Sequence, residues 1–339
     1  MELKRIAIDT SKHVFTLHGV DPRDRVIPRR ELKRAQVEPF FRKLLPTEVV
    51  LEACGGSHHW GRLLASLGHT VKLIPPRYVK PFVKRGKNDR NDAEAINEAA
   101  SRPTMRFVPV KTAVQQAGTM ILKTRELLVR QRTQLINAVR GHASEFGVIA
   151  AKGTARVDAL LDRVAGDETL PADAREMIAL LGEQIKDLDI RIATLETRMK
   201  QAHKANPVSQ LLEGIPGIGP IGALSLALSV DPTQFHSGRH FAAWLGLTPR
   251  ERSTGGKQRM GGISRAGDER LRQLLVIGAT AVIRFARPGK ASAWLLSLLE
   301  RRPRKVVAVA LANKMARVVW AMMTSGEAYR AARAAPVIG

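Results

Sequence analysis

Between residues 172 and 204 an apolar residue recurs every three or four positions: Ile178, Leu181, Ile185, Leu188, Ile192, Leu195 and Met199. Sustained over this length, the rhythm predicts one long helix with a coiled-coil-like seam. Such a rod does not fit inside a single compact core, so it divides the chain. A Pro-free stretch from Thr112 to about Phe146, with Met120, Leu122, Leu127, Leu128, Leu135, Ile136 and Val139 among Arg, Lys and Gln, predicts a second long helix. The two helices can pair as in an ordinary bundle or offer their seam to another chain. In either case residues 110–205 form a long-helix region separating a domain at 1–109 from one at 206–339.

The first domain reads as mixed α/β. "LKRIAID" (3–9), "HVFTLHGV" (13–20) and "RVIPRR" after the turn-rich "DPRD" predict three antiparallel strands. "EVVLEA" (48–53) and "TVKLIP" (70–75) read as buried strands around the helical "HHWGRLLASLG", whose Gly68 is a stop. The order over residues 1–105 is then β-β-β-α-β-α-β-α. Beyond Pro207 strong helical patterns are joined by Gly-rich, basic loops. The fold class is α/β plus all-α.

The charge balance narrows the partner. Lys and Arg number 55 against 31 Asp and Glu, a formal +24 with a pI near 11.0. That excess makes nucleic acid the default partner. The basic residues are spread through segments that are 44% hydrophobic overall, so they do not form a disordered tail. The start of the chain carries no apolar run of signal-peptide length, and the apolar "LLVIGATAVI" (274–283) is short of a membrane span. A soluble chain in the cytoplasm, at the nucleoid, is expected. The single Cys54 excludes an internal disulfide and any Cys-rich zinc cage.

Four acids stand where function is expected. Asp9 ends the first strand in "IAIDTSK", Glu52 ends a later one in "VVLEACGG", and Asp89 and Asp92 open a helix in "KRGKNDRNDAEA". Positions i and i+3 share a helix face, so the last two can point at one ion. Hard cations such as Mg²⁺ take oxygen ligands and can clamp the attacking and leaving oxygens of a phosphodiester. Singly, each acid is equally a turn former or a helix-start acid favoured by the macrodipole. Together, in the order Asp, Glu, Asp-x-x-Asp on this scaffold, they resemble the RNase H-like fold of the Holliday-junction resolvase (RuvC) type. The adjacent Lys84, Arg85, Lys87 and Arg90 are candidate phosphate contacts.

Two other segments invite a phosphate. In "RERSTGGKQRMGG" (250–262) Ser253 and Thr254 precede Gly255 and Gly256, with Arg250, Arg252, Lys257 and Arg259 around them. On residue chemistry alone this is first a flexible phosphate-contacting loop, since a serine hydroxyl needs a base, a metal or cations to act as nucleophile, and only cations are visible locally. "LLEGIPGIGPIGALSLA" has two helical halves around Gly217-Ile218-Gly219, similar to a helix-hairpin-helix, which offers backbone N–H groups to phosphate without reading bases. Arg265 in "GGISRAG" is a further candidate contact. Cys54, His58 and His59 are too few and too closely spaced for zinc and read as packing residues.

These motifs in this order, from "IAIDTSKH" through "VVLEACGGSHHW", "KNDRNDAEAI", "IPGIGPIGA" and "FAAWLGLTPRERSTGGKQRMGGISRAGDERLRQLL" to "VVAVALANKMARVVWAMM", resemble the DEDD-type transposases of bacterial insertion sequences, the family of insertion sequence 110. The resemblance covers nearly the whole chain. It implies a site-specific DNA recombinase with a RuvC-like amino-terminal domain holding Mg²⁺ on Asp9, Glu52, Asp89 and Asp92. It also implies a carboxy-terminal transposase domain supplying Ser253 as nucleophile, a covalent phosphoserine intermediate, and a structured noncoding guide RNA that pairs with donor and target double-stranded DNA. A homo-oligomer, a dimer or in the active complex a tetramer, would let one subunit's serine work with another's acids. The second residue of the nucleophile stretch is Thr254, leaving Ser264 as a distant competitor. A RuvC-like resolvase or nuclease that activates water would need the acids but not Ser253, and a non-enzymatic nucleic-acid-binding protein would need neither.

Overall fold

The computed structural model describes residues 3–84, 89–255, 257 and 259–330, with the side chains of Pro28, Arg29, Asp89 and Arg90 left out of the description. The chain forms two compact units, residues 1–117 and 118–339.

The first unit is a five-stranded sheet with helices on both faces. Strands β1 (Arg5–Thr10), β2 (Val14–Val20) and β3 (Val26–Lys33) form an antiparallel meander. Helix α1 (Arg34–Arg42) leads to β4 (Glu48–Glu52), α2 (Ser57–Ser66) and β5 (Thr70–Ile74), after which the short α3 (Pro76–Val79) precedes α4 (Asp89–Ser101). The strand order is β3-β2-β1-β4-β5, with β4 parallel to β1 and β5 parallel to β4. Proline is compatible with β3 because that strand lies at the sheet edge, where a missing N–H need not break a ladder.

Alternation along the central strands assigns their residues to two cores. Ile6, Ile8, Val49 and Leu51 point to one face, with Phe15, Phe41, Trp60 and Leu64. Ala7 and Val50 point to the other, where Ala95, Ile96 and Ala99 of α4 cover them. The period of two therefore puts Arg5, Asp9, Glu48 and Glu52 on the α4 side, one pair at each end of the strands.

The amino-terminal end of that face is closed by ionic contacts. Arg5, 8% exposed, donates to Glu48 and to Asn97, and Lys72 donates to the other Glu48 oxygen. Burial opposes ionisation of Glu48, but the hydrogen bonds from Lys72 and Arg5 outweigh it and hold its pKa below the usual range. A depressed carboxyl pKa contributes stability above the unfolded value and loses it as pH falls through the folded one. Glu48→Gln should therefore destabilise the first unit at neutral pH and flatten its acid limb, read by urea melts at pH 7 and pH 3. The expected loss is about 2 kcal/mol, below that of a fully buried pair because the Glu48 side chain is 21% exposed.

The second unit takes up most of helix α5 (Ala113–Glu145), followed by α6 (Val157–Ala165) and α7 (Ala172–Lys204). Arg125 binds Glu196 and Arg132 binds Asp189. Seven residues forward on α5 thus match seven backward on α7, so the helices run antiparallel within one chain. Ile136, Val139, Leu160, Val164, Ile178 and Ile185 fill the core between α5, α6 and α7.

The rest of this unit is α8 (Pro207–Glu213), α9 (Pro220–Ser229), α10 (Gly238–Trp244), the hairpin β6 (Pro249–Glu251) and β7 (Met260–Ile263), then α11 (Glu269–Arg284), α12 (Ala293–Arg301) and α13 (Arg304–Ser325). α13 is long and apolar enough, by length and composition, to cross a membrane. Its Val307, Ala312, Met315, Ala316 and Val319 enter the same core as Leu212, Phe241, Leu245, Leu271 and Leu275.

Candidate active site

The carboxyl-terminal ends of β1 and β4 lie side by side. The parallel register pairs Ile8 with Leu51, which brings Asp9 and Glu52 next to each other on the α4 face. One step further on, Thr10 Oγ1 and Cys54 Sγ are 3.2 Å apart. Asp92 precedes Ala95, Ile96 and Ala99 by three, four and seven positions, so it lies on the sheet-facing stripe of α4. Burial raises the Glu52 pKa, and the negative charge of Asp92 raises it further. Three of the four predicted acids are thus gathered at one sheet end. α4 begins at Asp89, one turn ahead of Asp92, though the Asp89 side chain is outside the described set.

Among the described residues no three His, Cys, Asp or Glu side chains by themselves make a metal cage. The chemistry of the donors nonetheless fits a hard divalent cation: oxygen ligands only, partly buried, with the charge of Asp92 adding to burial in raising the Glu52 pKa. A cation relieves that repulsion. At the opposite strand ends the acid Glu48 is already neutralised by Arg5 and Lys72.

Ser253 sits beyond β6, in a hairpin rather than in the flexible loop expected from its glycines. The Arg252 N–H donates to the Arg259 carbonyl at 2.8 Å, the Lys257 N–H donates to the Thr254 carbonyl at 3.1 Å, and β6 pairs with β7 through Pro249–Ile263 and Glu251–Met260. The hairpin base is clamped to the helical core. Arg272, 8% exposed, donates to the carbonyls of Leu245 and Ala266. Gly246 and Gly267 have φ of 72° and 73°, and a Cβ on either would collide with backbone, of Ala266 and of Trp244 respectively.

The Ser253 hydroxyl donates to Glu251 Oε1 at 2.8 Å and accepts the Arg259 backbone N–H at 3.2 Å. Its hydrogen and one lone pair are thereby oriented, leaving the second lone pair for an electrophile. Glu251 was not among the residues singled out from sequence. The available signal was spacing: on an extended chain residues i and i+2 lie on one side.

The basic candidates have varied surroundings. Lys84 is ion-paired with Glu94 at 2.5 Å. Arg250 donates to the Ser264 carbonyl at 2.8 Å, which ties it to the hairpin. The side chains of Arg252, Lys257 and Arg259 are exposed, and Arg265 holds a positive φ of 55°. Gly255 lies at the hairpin turn with φ of 55°. Gly217 and Gly219 lie in the connection between α8 and α9, where Gly217 packs on Gly278 of α11. Arg85, Lys87 and Gly256 fall outside the described residues, as does the Arg90 side chain. Cys54 is exposed, and His58 accepts the Lys111 N–H at 3.2 Å.

The chain resembles several known proteins along most of its length. A chain from Sinorhizobium fredii is 56% identical over 98% of this chain and 87% of its own length. The "Transposase for insertion sequence element IS1111A" of Coxiella burnetii is 42% identical over 97% of this chain and 92% of its own. The "Pilin gene-inverting protein" of Moraxella bovis is 24% identical, covering 81% of this chain and 79% of its own. Residues 6–147 match a transposase family model of the IS110 DEDD type, and residues 209–293 match the model described as "Transposase IS116/IS110/IS902 family". The chain belongs to the IS110/IS116/IS902 transposase family.

In this transposase the first matched segment contains all four acids and the second contains the whole hairpin with Ser253. The family makes the chain a DNA-transposing enzyme, and its DEDD domain points to use of a divalent metal.

Proposed function

We propose that the chain is an RNA-guided, site-specific recombinase that cuts and rejoins DNA through a covalent phosphoserine at Ser253. The observation that carries this reading is the Ser253 hydroxyl held between Glu251 and the Arg259 N–H, in a hairpin rich in arginine. The sheet order β3-β2-β1-β4-β5, with acids at the ends of β1 and β4, supports an RNase H-like (RuvC-like) first domain. The two helices α8 and α9 around Gly217 support a helix-hairpin-helix contact to phosphate. Rejoining rather than hydrolysis is supported by the Moraxella bovis relative, whose name is that of a gene inverter.

Asp9, Glu52, Asp89 and Asp92 would hold Mg²⁺, which when bound supplies Lewis-acid stabilisation of charge on the phosphate oxygens. Glu251 accepts the proton as Ser253 Oγ attacks phosphorus. The Oγ–P bond forms as a P–O bond of the DNA backbone breaks, the leaving oxygen taking a proton from solvent; after strand exchange the hydroxyl end of the incoming strand attacks the phosphoserine, joining to it as the Oγ–P bond breaks and the serine hydroxyl is restored. One phosphodiester is exchanged for another, so no nucleotide hydrolysis is needed. Arg252, Lys257 and Arg259 neutralise the phosphates around the scissile bond. Leu127, Leu180 and Ile190 remain about half exposed or more on α5 and α7, which supports a homo-oligomer, dimer or tetramer, assembled on the long helices.

DNA carrying a donor site should be cut only when Mg²⁺ and the element's noncoding RNA are both supplied, and the RNA copurifying with the protein should be one discrete species. Cutting that is indifferent to RNA, with heterogeneous cellular RNA bound, would remove the guided reading. Glu251→Gln should slow adduct formation by about 10²-fold or more and shift its pH dependence, as loss of a proton acceptor does. Unchanged rates at all pH values would remove Glu251 from the mechanism.

A further inference from the structure

A groove of about 1440 Å³ opens on the second unit beside the hairpin. Its floor is one face of α13, where Val306, Val309, Ala310, Asn313, Val318 and Ala321 follow helical spacing. Trp294 of α12 and Trp320 of α13 add aromatic surface, the former 38% exposed with the Lys314 ammonium 4.6 Å from its ring centre. One wall is the hairpin itself, through Pro249, Gly261, Gly262 and Ile263.

Five cations line this groove, Arg239, Arg265, Lys305, Lys314 and Arg317, and the lining contains no carboxylate. All five side chains are exposed, and none is in an ion pair among the described residues. Like charges gathered without counter-charge repel each other, and an anionic ligand removes that cost. Nor do Gly261 and Gly262 answer a need of the fold: neither has a positive φ, and a Cβ at either would meet nothing nearer than 3.6 Å. They leave a bare backbone wall that a ligand can approach closely.

We propose that this groove binds an unpaired DNA strand and leads it to the hairpin tip. A cationic rim takes phosphates, and an apolar, aromatic floor takes the faces of bases that are free of a duplex. From Pro249 at the groove to Ser253 is four residues, roughly 13 Å of extended chain, a reach of a few nucleotides. The choice of DNA over RNA rests on the reading of Ser253 as nucleophile; the existence of a single-strand groove does not.

The test uses the full-length protein and a short single strand carrying 5-iodouracil, beside the same sequence as a duplex and as RNA. Photo-crosslinks to the Trp294 or Trp320 peptides are expected with single-stranded DNA and not with the duplex. The Lys314→Glu/Arg317→Glu double variant should lose about tenfold in affinity and reduce the slope of log K against log salt by about 1.4, as expected for two phosphate contacts. Gly262→Val, which the fold accommodates, should block the crosslink sterically. Ser253→Ala should abolish the covalent adduct and keep the crosslink, so failure of the groove and failure of the nucleophile are separable. The proposal is overturned if crosslinks avoid both tryptophans, if duplex or RNA competes better than single-stranded DNA, or if the charge variants change the subunit number without changing the crosslink. The last result would mean that a second copy of the chain fills the groove.

Discussion

Asp92→Asn is expected to reduce DNA cleavage by about 10³-fold or more, while raising the melting temperature of the metal-free protein. The first effect follows from the several kcal/mol that a metal contributes to phosphodiester displacement, each 1.4 kcal/mol being tenfold in rate. The second follows from electrostatics. Glu52 has its pKa raised by burial and then by Asp92, so the two charges are held together at a cost when no cation is present. Removing one charge removes that repulsion. Mg²⁺ should raise the melting temperature of the wild type by mass action and leave the variant unchanged. A variant that cleaves normally, or that melts lower without metal and still responds to Mg²⁺, would contradict the assignment of Asp92.

Ser253→Ala has the larger chemical consequence. It removes the attacking oxygen and leaves Glu251 without its donor, so strand joining should fall by about 10⁴-fold or more, as expected when a nucleophile is deleted. DNA binding should persist, because Arg252, Lys257 and Arg259 keep their charges and the hairpin keeps its backbone pairs. Ser253→Cys keeps a nucleophilic atom but weakens the hydrogen bonds that orient it; partial adduct formation by that variant would place the reaction at this position. Thr254 and Ser264 are the alternatives nearby, and Ser264 is engaged through its carbonyl with Arg250.

The sheet was legible because its strands are short apolar runs between turn residues, and a period of two assigns each residue to a face. Ile6, Ile8, Val49 and Leu51 are all buried, so the placement of Asp9 and Glu52 at strand ends followed directly. Asp92 was legible as a helix-opening acid three positions from Asp89, but that its face of α4 meets the sheet follows only from the packing of Ala95, Ile96 and Ala99 on Ala7 and Val50. The long helices were legible as rods, but the apolar rhythm does not encode which rod is the partner. The pairs Arg125–Glu196 and Arg132–Asp189 settle that α5 meets α7 of its own chain. The hairpin escaped notice because β6 and β7 are three and four residues long and almost entirely exposed, with no apolar alternation to mark them. Without the strands, the relation of Glu251 to Ser253 had no geometry. The groove is assembled from residues between 237 and 321 on three helices, their flanking loops and the hairpin, and no local pattern announces such a surface.

The covalent link tests the account most directly. Wild-type protein, Mg²⁺, guide RNA and DNA carrying a donor site would be denatured by boiling in detergent, digested with trypsin and nuclease, and the nucleotide-bearing peptide sequenced by mass spectrometry. The account predicts a nucleotide on Ser253, in the fragment from Ser253 to Lys257. Cleaved DNA with no protein attached, or a nucleotide on Thr254 or Ser264, would contradict it.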